Sequence, residues 1–445
     1  MLVTDFCAEV NIKDKWGGTP LHSTSQNSRG EVVRMLVTEF DAEVNIKDNR
    51  GRTPLFYAAD GNDEVAMMLV TEFGAEVNIK DICGSTPLHL AIQWCRDDTV
   101  RVIASEFEAG VNIKDRSGIT PLHLAAEWGR DDIVRMLVTD FSAEVDIKDK
   151  HGSTPLHAAA KYGNNEIVKL LVTEFGADVN IEDEWGSIPL HWASQSCRCD
   201  VVRMLVTEFG AEVNIKDDRG RTPLHWAAQG DESGIVKMLV TELGAEVNIR
   251  DADGRSPLHI AVQCCRDDAV RMLVVECGAE VNIKDKLGKT PLHLAAEGDY
   301  MDYRDYKDEI LKTLVNHSNA ELDIKDNCGS TPLHMAVERG RIDIVKLLVT
   351  HFSAEVDIKD DHGSTPLHVA AKFDRNDIVK LLLNEFGAGV NIKDCEGKTP
   401  LHLAAHWRRS DIVKLLITEF GAKVDTEDEA ILHYIWQHGG VMTML

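Results

Sequence analysis

The 445-residue sequence is poor in positive charge: 48 Lys and Arg stand against 74 Asp and Glu, a formal net charge of −26. A field of that sign repels phosphate, which excludes a nucleic-acid-coating protein and an anionic-membrane binder. No run approaches the roughly 18 consecutive apolar residues of a bilayer span. The opening MLVTDFCAEV lacks a basic segment and a small-residue cleavage site, so no signal peptide is expected. The ten cysteines form no CxxC pair, and Cys197 and Cys199, though close, have no other ligand near them in sequence. That is a reduced complement, and an intracellular, cytoplasmic location is expected, with the nucleus left open. HExxH and GxSxG are missing, as is any Ser/His/Asp set outside the repeated pattern. Gly288-Lys289-Thr290 and Gly397-Lys398-Thr399 imitate the tail of a phosphate-binding loop. Ile283 and Ile392 occupy the place of its first glycine, and a proline follows each Thr. Asp-rich turns such as DADGRSP lack the spacing and closing Glu of a calcium loop. The expectation is a chain that is not an enzyme, with no catalytic residue, metal or cofactor.

What the chain does contain is 44% hydrophobic residues, enough for a folded core. At about 150 residues per domain the length suggests three domains, but the prolines overrule this. There are 12, each preceded by Thr, Ile or Ser and followed by Leu, at positions 20, 54, 87, 121, 155, 189, 223, 257, 291, 332, 366 and 400. Successive spacings are 34 residues, except for one of 33 and one of 41. Internal repetition at such a period marks a repeat array.

One unit, residues 118–151, reads GITPLHLAAEWGRDDIVRMLVTDFSAEVDIKDKH. Thr120-Pro121 is a helix start, the hydroxyl capping free N–H groups and the proline standing where none is needed. Gly129 suits the left-handed residue that ends this helix. Cys95, Cys197 and Cys265 occupy the same place in their units, where a side chain costs about 1 kcal/mol. Ile133, Val134, Leu137, Val138 and Phe141 then form an apolar stripe at the helical period. An Asp/Gly-rich hairpin turn follows. Neither helix can bury its face alone, so units must stack into a solenoid. The division is a partial repeat over 1–16, then units at 17–50, 51–83, 84–117, 118–151, 152–185, 186–219, 220–253, 254–287, 288–328, 329–362, 363–396 and 397–430, with a degenerate remnant at 431–445.

The TPLH turn, the AAxxG helix end, the IVKLLV second helix and the GADVN hairpin entry resemble the ankyrin repeat across essentially the whole chain. The resemblance implies an all-α solenoid of helix-turn-helix units joined by β-hairpin loops. It also implies that the His of each LH pair, for example His123, His157 or His225, bonds within its loop and to the turn threonine. It places partner contacts on the hairpin tips and the exposed end of the first helix.

Departures from that pattern carry the individuality. The period is mostly 34 instead of 33, the extra residue lying in LVTEFGAEV. Phe recurs there at 6, 40, 73, 107, 141, 175, 209, 352, 386 and 420, and is expected to form a ladder between second helices, each ring contributing ~1.5–3 kcal/mol if fully buried. The ninth unit holds seven extra residues in GDYMDYRDYKDE, expected as a solvated loop between the helices. Its Tyr300, Tyr303 and Tyr306, flanked by acids, are candidate phosphorylation sites. Met1 aligns with Met35 and Met136, so the sequence opens inside a second helix.

The residue before each helix-ending position is Trp94, Trp128 and Tyr162 in three successive units, and Phe373 and Trp407 in the last two. Such a run suits an interface hot spot. Trp16 and Trp185 stand at hairpin tips, while Trp192 and Trp226 replace the Leu of HLAA and are expected to be half-buried packing. The function expected is a non-enzymatic scaffold or adaptor that binds a protein partner along the concave face and tips. The acid balance favours a partner with a basic patch and an affinity that falls with salt. The alternative is a regulatory or targeting arm of an enzyme or channel whose functional domain lies outside this chain.

Overall fold

The computed structural model describes residues 9–27, 30–106, 110–230, 232–298, 304–317 and 320–424. All 12 prolines are the first residue of a helix, from Pro20–Gln26 to Pro400–His406. In the fourth unit, Thr120 sits extended as N-cap before Pro121–Glu127, and its hydroxyl accepts the His123 N–H. The helix ends at Trp128, and Gly129 turns the chain at φ +69°. Cys95, Cys197 and Cys265 adopt the same left-handed conformation at φ +57°, +56° and +56°. The second helix, Asp131–Thr139, opens on two carboxylates that suit its N-terminal dipole. It buries Ile133, Val134, Met136 and Leu137.

The chain divides into two compact units, residues 1–218 and 219–445. Within each, neighbouring first helices pack together and second helices form the outer layer. The Leu after each proline is buried, as are both alanines of the AA pair: Leu122, Ala125 and Ala126 are 0% exposed. Small alanines let first helices approach closely, while the longer second-helix side chains spread the outer layer. Stability is therefore a sum over neighbours, with each buried Leu or Val contributing about 1.5–3 kcal/mol.

The residue added to the period is absorbed as a widened turn at the end of the second helix. The Phe73 N–H reaches back five residues to the Met68 carbonyl at 3.2 Å, Phe175 to Leu170 at 3.3 Å and Phe209 to Met204 at 3.2 Å. Over Met238–Glu242, Met272–Glu276 and Leu347–His351 the same widening is a full π-helical segment. One residue inserted into an α-helix produces this i→i−5 bonding. The unit of 33 keeps the wide turn and is shorter elsewhere: Asn62 both ends Pro54–Gly61 and caps Asp63–Thr71, its side chain accepting the Val65 N–H at 3.3 Å.

Two expectations are corrected. The recurring phenylalanines lie in the turn leaving the second helix and are half-buried, so Phe73, Phe141 and Phe175 are not a fully buried ladder. The hairpin loops close through backbone bonds such as Asp149 N–H to the Ser153 carbonyl at 2.9 Å, with no β-strand among the described residues, as an all-α solenoid requires. In the ninth unit the second helix runs Arg304–Asn316, 13 residues against 9 in Asp131–Thr139. Part of the insertion is thus helical, and Tyr306 stands on that helix instead of in a loop; Tyr300 and Tyr303 lie outside the described residues.

Candidate binding surface

The tips are held by an aspartate. In the fourth unit Asp149 accepts the N–H groups of His151 and Ser153 on one carboxylate oxygen, each at 2.8 Å. Gly152 completes the turn at φ +77°, where an added Cβ would stand 2.7 Å from the Glu184 nitrogen. Each tip then bonds to the next: Lys150 N–H donates to the Ser117 carbonyl at 3.0 Å and Glu184 N–H to the His151 carbonyl at 2.8 Å. The lysine of the IKD motif spans the same gap, Lys114 Nζ reaching the Lys148 carbonyl at 2.6 Å. Two such bonds between successive tips make a rigid platform, so their side chains are presented in register.

The LH histidine anchors the first helix to that platform. Thr154 N–H donates to His157 Nδ1 at 3.1 Å, with the Thr154 hydroxyl 3.0 Å from the same nitrogen. His157 Nε2 donates to the Ser187 carbonyl of the next unit at 3.0 Å. Both ring nitrogens are engaged, which leaves neither for a metal. Burial depresses the His157 pKa to about 4, against the raising effect of the Ser187 bond. His22, His89, His123, His259, His293, His334 and His368 are lowered by burial in the same way.

On this frame Trp94, Trp128 and Tyr162 stand one repeat apart at the helix ends, 53%, 51% and 43% exposed. Trp185 projects from its tip and stacks on His151 of the preceding tip, ring centres 5.3 Å apart and planes 20° from parallel. Trp192 lies 6.4 Å from Trp185 and donates its indole N–H to Asp183 at 2.9 Å. Lys161 Nζ sits 4.8 Å from the Trp192 ring centre and 5.7 Å from that of Tyr162. Burial and a hydrogen bond with Glu127 raise the pKa of the Tyr162 phenol. The structure thus links Tyr162 at a helix end to Trp185 at a tip through Trp192 and Lys161. Sequence reasoning missed the bridging role of these two residues. Their signal was a Trp in the HLAA column one repeat after a lysine, which pattern matching alone counts as packing.

The remaining candidates are not part of that cluster. Trp16, the most exposed at 65%, borders a groove of about 410 Å³ with Tyr57 and Arg50, and Lys15 covers its ring at 4.1 Å. In residues 219–445, half-buried Phe373 and exposed Trp407 line a groove of about 530 Å³. Trp192 and Trp226 are half-buried as expected.

Four columns of the repeat carry these candidates: the second tip residue, the residue before the turn Thr, the residue after the LH pair, and the helix end. Between residues 83 and 196 these hold Cys83, Ser117, His151, Trp185; Ser85, Ile119, Ser153, Ser187; Leu90, Leu124, Ala158, Trp192; and Trp94, Trp128, Tyr162, Ser196. None of these sixteen is Asp, Glu, Lys or Arg, and the tip column turns ionic at Arg219, the last residue of unit six. A neutral strip on a chain of net charge −26 is a local departure from the composition.

The family described as ankyrin repeats (3 copies) matches the chain at residues 1–81, 61–149, 138–217, 209–285, 275–360 and 351–428. No curated protein matches it. Among the described residues no helix is long and apolar enough to cross a membrane.

Proposed function

Given that the chain belongs to the ankyrin-repeat family, whose repeats generally mediate protein–protein interaction, we propose that it is a non-enzymatic scaffold whose main docking surface is the neutral aromatic strip of units three to six. The observation that carries this reading is the run Trp94, Trp128, Tyr162 and Trp185, each between 38% and 53% exposed, on a rigid frame that holds them at repeat spacing. Large rings with few rotatable bonds supply contact area at low entropic cost. Contiguous exposed apolar surface on a folded chain marks an interaction site. The partner is a folded protein or segment offering apolar pockets to these rings, with basic residues at its margin to meet the surrounding acidic surface. The nine cysteines among the described residues, recorded outside any disulfide, fit a reducing, cytoplasmic setting.

The test is capture from cell lysate by the intact chain beside a Trp94→Ala/Trp128→Ala/Tyr162→Ala variant, with circular dichroism confirming that both are folded. A protein retained by the first and lost by the second supports the strip. Equal capture by both rejects it.

A further inference from the structure

Two tryptophans stand at hairpin tips, and each carries a basic side chain against its ring. At Trp16 the group is the ammonium of Lys15, 4.1 Å from the ring centre, and a lysine keeps its charge throughout the neutral range. At Trp185 it is His151 of the preceding tip, whose imidazole stacks with planes 20° apart and centres 5.3 Å apart. Histidine is the side chain whose charge changes in that range. Trp185 belongs to the neutral strip, so the protonation of His151 bears on a ring of that surface.

The geometry favours the charged imidazole. His151 Nδ1 lies 2.6 Å from Glu184 Oε1, in the tip that carries Trp185. The backbone closes the same contact, Glu184 N–H donating to the His151 carbonyl at 2.8 Å. Neutral His151 donates its Nδ1–H to that carboxylate. A solvent proton taken up at Nε2 turns the bond into an ion pair and lays a cation on the indole face, which strengthens both contacts at once. The side chain is 59% exposed, so the proton has access.

Three successive tips surround His151. Asp115 and Arg116 come from the tip before, Asp149 and Lys150 from its own, and Asp183 and Glu184 from the tip after, while Lys161 is held over Trp192. The Glu184 hydrogen bond holds the His151 pKa above the ordinary 6.5, opposed by desolvation and helped by the charges of Glu184, Asp149 and Asp183. The imidazole is therefore charged below that raised value and neutral above it. The buried LH imidazoles titrate below 6.5, His157 at about 4, so the frame stays intact while His151 changes charge. His362 holds the equivalent place in the tenth unit, but the tip after it offers Cys395 and Glu396 and no ring.

We propose that His151 is the positioning residue of Trp185, a proton-operated clamp that fixes the ring against the tip when charged and releases it when neutral. Its consequence for partner binding rests on the strip being the docking surface; the clamp itself does not. The test is fluorine NMR of the full chain labelled with 5-fluorotryptophan, titrated between about pH 6 and pH 9. Trp185→Phe and Trp16→Phe identify two of the eight tryptophan resonances. The Trp185 resonance is expected to shift along one titration curve with its midpoint above 6.5, and to narrow on the alkaline side as the ring gains motion. The Trp16 resonance should stay fixed. His151→Gln should abolish the shift, and His151→Arg should hold the acid-limit position at every pH. Glu184→Gln should keep the shift and move its midpoint to lower pH. These side chains are exposed, and circular dichroism checks that each variant is folded. A Trp185 resonance that does not move overturns the proposal. So does a shift that survives in His151→Gln, or a midpoint unchanged in Glu184→Gln. No partner is needed, so failure of the lysate capture leaves this result standing, and a fixed Trp185 resonance leaves the strip standing.

Discussion

Units three to six and units seven to twelve share one frame and differ on the face it presents. The same four columns, without an ionic residue between 83 and 196, carry Arg219 at the end of unit six and then Arg221, Arg255, Lys289, Arg339 and Lys398, along with Asp253 and Glu396. Several of the positive residues there are matched locally: Arg255 bonds Asp251 and Asp253 at 3.0 and 2.9 Å, and Glu297 is gripped by Lys289 at 2.5 Å and Arg339 at 2.7 Å. One scaffold thus displays an apolar surface and an ionic one. The difference arises from side chains on which the fold does not depend, since the buried Leu, Ala, Thr and His positions are shared. Recognition varies where packing does not constrain it.

The largest expected effect asks whether the frame really is common to both regions. The buried imidazoles are neutral in the fold, their pKa values lying below the ordinary 6.5. The unfolded chain therefore takes up protons first as pH falls. Stability is full above pH 6.5 and is lost as pH drops from there toward 4, with His157 alone contributing about 3 kcal/mol over that window. Four such histidines, His22, His89, His123 and His157, lie in residues 1–218, and four, His259, His293, His334 and His368, in residues 219–445. Hydrogen exchange at pH 7.5, 6 and 5 should show both regions losing protection together. Protection lost from one region a full pH unit before the other would mean that the comparison is one of stability as well as surface.

A smaller effect sharpens the contrast at the surface itself. Trp128→Arg places a charge in the middle of the neutral strip and removes a ring that is 51% exposed. Affinity for the partner captured by the strip should fall roughly 30-fold to 700-fold, the ~2–4 kcal/mol of a hot spot, while the melting temperature stays within about two degrees. Raising salt from about 0.05 to 0.3 M should weaken the strip's affinity by about threefold or more, because the partner's basic margin meets the acidic surface around the strip. Binding unchanged by salt would remove the basic margin from the partner and with it the role of the acidic surround.

Much of the fold was legible because its determinants are local and repeated. A Thr-Pro pair starts a helix wherever it occurs, and twelve in-phase copies leave no other period. The extra residue was legible as an insertion but its form was not. Whether LVTEF makes a longer loop or a π-turn depends on the second helix being packed on both sides, which fixes its ends and forces the surplus residue into the hydrogen-bond ladder. The half-burial of Phe141 and Phe175 follows from the same event, since the rings leave the helix after the widened turn. At the candidate surface, exposure of Trp94 and Trp128 could be read from column position. The bridge from Tyr162 through Lys161 and Trp192 to Trp185 could not, because it joins three columns across two repeats.

The smallest effect tests the frame at a single hydroxyl, where the second unit departs from its neighbours. There Phe56 occupies the LH histidine's place and is 1% exposed. The turn threonine before it, Thr53, has a buried hydroxyl with no hydrogen-bond partner. In the fifth unit the equivalent Thr154 hydroxyl is 3.0 Å from His157 Nδ1. A typical hydrogen bond contributes about 1 kcal/mol net, whereas a buried polar group without one costs about 1–3 kcal/mol. Thr154→Val should therefore lower the stability of residues 1–218 by about 1 kcal/mol, read as a reduced urea midpoint. Thr53→Val, which removes a hydroxyl that bonds to nothing and keeps its shape, should leave the midpoint unchanged or raise it. An equal loss in both variants would show that the hydroxyl matters to the helix start without the histidine, and the pairing of Thr with His would no longer explain why the two recur together.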